Sequence, residues 1–91
     1  MIEVSLTQGE RMHVPERLVV APSAGVFREL GAETITTDGG LVTPGQSIGV
    51  IELSGTTTQV RSPFAGFLMG MLAEPGERLR IGQPVAWLRS A

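Results

Sequence analysis

The feature that constrains this chain most is that its second half repeats its first. Val60-Arg61-Ser62-Pro63-Phe64-Ala65-Gly66 echoes Val19-Val20-Ala21-Pro22-Ser23-Ala24-Gly25, and Val85-Ala86-Trp87-Leu88 echoes Ile48-Gly49-Val50-Ile51. Gly76 with Ile81-Gly82-Gln83 answers Gly39 with Pro44-Gly45-Gln46. The Pro–Gly words match at an offset of 41 residues and the Gly-Gln words at 37, so about four extra residues fall between Val26 and Asp38. Each half reads strand–turn–strand–turn–strand. Two such halves predict an all-β unit with a pseudo-twofold axis.

Between the halves lies a hairpin signal. A largely apolar run, Ile48 to Leu53, is followed by Ser54-Gly55 and then by a β-branched run, Thr56 to Val60. A two-residue hairpin needs positive φ at one or both central residues, which glycine supplies without steric cost. The pattern predicts a tight turn from Leu53 to Thr56 with Gly55 at positive φ.

Composition agrees and excludes several chemistries. At 91 residues the chain can bury one core. Twelve glycines and six prolines call for many turns, and no ten-residue window keeps a helical period. A formal charge of −2 offers nucleic acid no electrostatic footprint. Without cysteine there are neither disulfides nor thiolate metal ligands, and the lone His13 cannot build a structural zinc site. Glu3, Glu10 and Arg11 argue against a signal peptide or membrane span at the amino terminus, so a cytoplasmic location is expected. All seven basic residues are arginines, and the chain has no lysine.

Residues 1–17 are expected to form an extension. Ile2, Val4 and Leu6 alternate with polar residues as in a half-buried strand, and Met12-His13-Val14 suits a second short one. The barrel proper is expected over 18–91, opening with a buried strand Leu18 to Ala21. Residues 31–37 read as an irregular, Thr-rich excursion. Phe27 and Trp87 occupy strand positions expected to face the core.

The words Ala21-Pro22…Gly25, Gly39…Gly45-Gln46, Ile51-Glu52, Pro63…Ala65-Gly66, Pro75-Gly76 and Gly82-Gln83-Pro84 cover most of the chain in order. Together they resemble the biotinyl/lipoyl carrier domain, and their spacing in the second half is closer to biotin carboxyl carriers. The resemblance implies a flattened barrel-sandwich hybrid of two antiparallel sheets. It also implies a lysine at the tip of the central hairpin, flanked by methionines, that carries the prosthetic group as an amide. Counted back from Pro63-Phe64-Ala65-Gly66, the lysine position falls on Gly55 and its neighbours on Ser54 and Thr56. With no lysine anywhere in the chain, neither biotin nor lipoate is expected as a cofactor.

Other groups near the tip read as structural. Ser54, Thr56, Thr57 and Thr58 offer hydroxyls, but a hydroxyl nucleophile needs a base within reach, and no catalytic residue is expected. Glu52 sits where the family carries an acidic residue. The segment Gly66-Phe67-Leu68-Met69-Gly70-Met71-Leu72 leaves two arrangements open. A bulge at Gly70 turns Phe67 and Met69 inward, or the two form an exposed apolar patch of the kind that marks an interface.

Two functions remain open at this point. One is a non-catalytic interaction or scaffold module tied to a biotin-dependent carboxylase-type complex. The other is a carrier subunit of such an enzyme modified through an atypical group. A protein partner or homo-oligomer is expected, with no nucleic acid, membrane or metal.

Overall fold

The computed structural model describes residues 16–30 and 39–90. The strands expected over 1–6 and 12–14, His13, and the excursion 31–37 lie outside these residues. Eight strands are present among the described residues: β1 (Glu16–Val20), β2 (Gly25–Arg28), β3 (Leu41–Val42), β4 (Ser47–Leu53), β5 (Thr56–Arg61), β6 (Gly66–Met71), β7 (Arg78–Leu79) and β8 (Pro84–Ser90). They form two antiparallel four-stranded sheets. One, here the terminal sheet, runs β1-β8-β6-β3; the other, the hairpin sheet, runs β5-β4-β2-β7.

The repeat is built into this topology. Exchanging β1 with β5, β2 with β6, β3 with β7 and β4 with β8 turns one strand order into the other. The recurring Gly-Gln words are type II turns, with Gly45 at φ 87° and Gly82 at φ 84°. Gln46 N–H donates to Thr43 O and Gln83 N–H to Arg80 O, each at 3.0 Å. Both glutamines fold back, their Oε1 atoms accepting from Thr43 N–H and Arg80 N–H, again at 3.0 Å. Each turn is then tied to the opposite strand end. Gly45 N–H donates to Ser62 O and Ser62 N–H to Gln46 O (2.7 and 2.9 Å), while Gly82 N–H donates to Ala21 O and Ala21 N–H to Gln83 O (2.8 Å each).

The core lies between the sheets and is itself repeated. Val19 and Val60, Phe27 and Leu68, Val42 and Leu79, Ile48 and Val85, and Ile51 and Leu88 are equivalent pairs, all buried. The glycines of the Pro–Gly words permit close strand approach. A Cβ on Gly25 would lie 2.5 Å from Glu52 O, and one on Gly66 would lie 2.7 Å from Arg89 O.

Glu16 and Arg17 pair with Arg89 and Leu88, which adds the last two residues of the expected extension to the β1 ladder. Two expectations are corrected, the first on β1 itself. That strand is not buried throughout: it is an edge strand, with Val19 turned inward while Leu18 and Val20 are 50% and 44% exposed. Trp87 does not face the core. It is half-buried and pairs across the sheet with Leu18 and Gly70, and its indole occupies the space a Cβ on Gly70 would need (3.0 Å to Nε1). Phe27, by contrast, is 1% exposed, as expected.

Candidate functional site

Strands β4 and β5 form the central hairpin, with Leu53 and Thr56 as the last pair. Ser54 and Gly55 have φ values of 52° and 80°, so both central residues are left-handed, as in a type I′ turn, whose twist matches that of the strands it joins. Gly55 takes the positive φ expected of it; that Ser54 does so as well was not anticipated. Glu52 to Thr57 are all exposed, Leu53 by 48%, so the tip projects from the barrel.

The tip stands at one end of the molecule. Val26 pairs with Glu52, so the turn over 22–24 lies beside the end of β4. The turn over 80–83 is tied to Ala21 at that same end and carries Ile81, which is 72% exposed. The close of β8 lies at the opposite end, where Ser90 pairs with Gly66.

At the base of the hairpin, Arg28 Nε donates to Glu52 Oε1 at 2.9 Å, joining β2 to β4. Glu52 is thus ion-paired across strands, a link the sequence reading had not foreseen. Around the tip, Ser54, Thr56, Thr57 and Thr58 bring hydroxyls, and His13 falls outside the described residues. Among the described residues no group of three or more His, Cys, Asp or Glu side chains could hold a metal ion.

Phe67 and Met69 lie elsewhere, on β6. Register shifts between Leu68 and Gly70, leaving Met69 as the extra residue of a bulge. The outcome divides the two expected arrangements. The bulge exists, but Phe67 precedes it, pairs with Leu41 and Arg89, and stays 42% exposed, whereas Met69 is half-buried. Phe67 belongs to a broader surface that includes Leu41 (54% exposed), Leu18 and Trp87. Sequence reasoning missed this surface, although Trp87 is two residues before the charged Arg89 and therefore shares its outward face.

Two antiparallel sheets related by a pseudo-twofold, with an exposed two-residue hairpin at the centre of the chain, define a barrel-sandwich of the biotinyl type. The sequence profile described as "Biotin-requiring enzyme" matches residues 17–88, and the chain belongs to this biotin/lipoyl family. Among solved structures the fold is similar to part of a single-chain, multi-domain long-chain acyl-CoA carboxylase, with a TM-score of 0.72 and 19% identity, covering 92% of this chain and 8% of that one. It is likewise similar to part of the Kluyveromyces lactis urea carboxylase, with a TM-score of 0.69 and 21% identity, covering 93% of this chain and 7% of that one. The chain thus spans under a tenth of either enzyme's length, and at these identities the likeness is one of fold. No curated protein sequence matches.

Proposed function

We propose that this chain is a biotin/lipoyl-type domain without a covalently held prosthetic group, acting as a non-catalytic interaction module in a biotin-dependent carboxylase-type assembly in the cytoplasm. The observation that supports this most is the absence of lysine from all 91 residues, with Ser54, Gly55 and Thr56 at the exposed tip. An amide-linked biotin or lipoate needs an ε-amino group. The tip offers hydroxyls and a glycine, so its residues do not fit such a group. What the domain keeps is a projecting hairpin, which suits docking.

A second reading rests on those exposed hydroxyls: a carrier acylated on Ser54 or Thr56. Intact mass and a streptavidin blot of natively expressed protein separate the two. The interaction reading expects an unmodified mass and no streptavidin signal; an added biotinyl or lipoyl mass on the hairpin overturns it. A companion variant, Gly55→Lys, is expected to be labelled poorly by a biotin ligase, because Ser54 and Thr56 replace the flanking methionines. Efficient labelling of that variant would mean that only the acceptor amine had been lost.

A further inference from the structure

The internal repeat supplies a control for the outer faces of the two sheets. Equivalent positions share strand and, outside the bulge at Met69, pairing, so the fold itself does not require them to differ in character. On the hairpin sheet Val26, Arg28, Val50, Gln59 and Arg78 occupy positions whose equivalents on the terminal sheet are Phe67, Met69, Trp87, Leu18 and Leu41. Three polar side chains are replaced by Met69, Leu18 and Leu41, and two valines by the larger Phe67 and Trp87. The terminal face runs in two paired rows, Leu41–Phe67–Arg89–Glu16 and Gly70–Trp87–Leu18.

We propose that this outer face of the terminal sheet is the contact surface for a second copy of the chain, the two sheets packing face to face about a twofold axis. The apolar area supplies the centre of such a contact, and the polar residues around it, Glu16 and Arg89 among them, supply the rim. Leu18, Val20, Leu41, Phe67 and Leu72 are each 42–54% exposed. Together they present on the order of 400 Å² of apolar surface, within the ~300–600 Å² range of a typical monomer's largest patch and about half of the ~800 Å² each partner buries in a standard interface.

The charge suits it too. The charged pair within the rows, Glu16 and Arg89, has opposite signs and sits 3.6 Å apart. A patch holding both signs has no bias toward an acidic or basic partner and can complement itself, as an isologous contact requires. Two four-stranded sheets packed face to face can adopt the aligned arrangement of a β-sandwich. The inference rests on the interaction-module reading in that the surface acts by contact alone, but oligomeric state and the covalent state of the tip are measured independently.

The test is sedimentation velocity of the full chain from about 1 µM to about 500 µM, a span that resolves micromolar association. It is read beside the emission of Trp87, the only tryptophan. Wild type is expected to pass from monomer to dimer, with emission shifting to the blue in step. The exchange variant Leu18→Gln/Leu41→Arg/Phe67→Val gives the terminal face the residues of its own counterpart. It should stay monomeric, its dissociation constant raised roughly 100-fold or more. Its circular dichroism should be unchanged, because none of the three side chains is in the core.

Leu41→Arg alone, on the short edge strand β3, should weaken the dimer in the same direction if the triple variant folds poorly. A wild type that is monomeric at the highest concentration, with Trp87 emission independent of concentration, overturns the inference. A dimer that survives the exchange overturns the surface assignment. A monomer of unmodified mass defeats this inference only, and a dimer with an acylated tip defeats only the functional reading.

Discussion

Laid over each other by the repeat, the two sheets agree inside and part outside. Val19 and Val60 are the same residue at the same depth, Val42 faces Leu79 as its equivalent, and Ile51 matches Leu88, all of them at most 1% exposed. On the outer faces, Gln59 and Arg78 correspond to Leu18 and Leu41. The inner positions share one constraint, since a sandwich core is close-packed and tolerates little change of volume. Outer positions answer to whatever lies beyond the sheet. The comparison shows which residues the barrel itself requires and which it leaves free to specialise.

The sharpest way to break this comparison is at Gly25 and Gly66. Alanine at either should destabilise the domain by about 3 kcal/mol or more, because backbone and core must move to admit the Cβ. Gly25→Ala should be the worse, as its φ of 146° adds strain and Ile51 Cγ2 would lie at 2.6 Å. Thermal unfolding measures both. A Gly66→Ala protein that melts like wild type would show that the halves do not share their backbone plan.

A smaller effect is expected where the halves differ inside. A Cβ on Gly49 would lie 2.5 Å from Phe27 Cε1, whereas their equivalents are Ala86 and Leu68. The larger ring thus stands opposite the smaller residue. Gly49→Ala should cost on the order of 2 kcal/mol, and adding Phe27→Leu should restore part of it, a coupling that a double-mutant cycle in urea would read. Strict additivity of the two changes would refute the compensation.

Smaller again is the hairpin. Gly55→Val meets no atom within 4 Å but must hold φ near 80°. The loss should be about 1–2 kcal/mol with no change of core packing, since β-branched residues are poorly tolerated in the left-handed region. An unchanged melting temperature would count against the turn geometry.

The smallest effect is expected at Arg28→Met, which gives the hairpin sheet its counterpart's residue. The Arg28–Glu52 pair is about half exposed on both sides, so its loss should cost under ~1 kcal/mol and shrink further in salt. A change of several kcal/mol would mean that the hairpin sheet's outer face also carries structural weight.

Much of this architecture was determined by the sequence alone. The offsets of 41 and 37 residues set the equivalence of the strands, and Ser54-Gly55 marked the turn. The Gly-Gln words are local chemistry, a left-handed glycine followed by a side chain that bonds back three residues, and local chemistry is legible in order of residues. The absence of lysine is a property of composition and needed no coordinates. What only the tertiary structure decided was which side of certain strands faces out. In Leu18-Val19-Val20 and in Phe67-Leu68-Met69 both alternating sets are apolar, so a period of two names two faces without saying which one is buried. The choice followed from partners distant in sequence: Leu18 went outward with Trp87, Phe67 with Arg89, and the bulge at Met69 moved the register by one. For the same reason the site candidate Phe67 was legible as an anomaly, but the face it joins was not. Leu41, Phe67, Trp87 and Leu18 lie on four different strands, and only the order in which those strands pair brings them side by side.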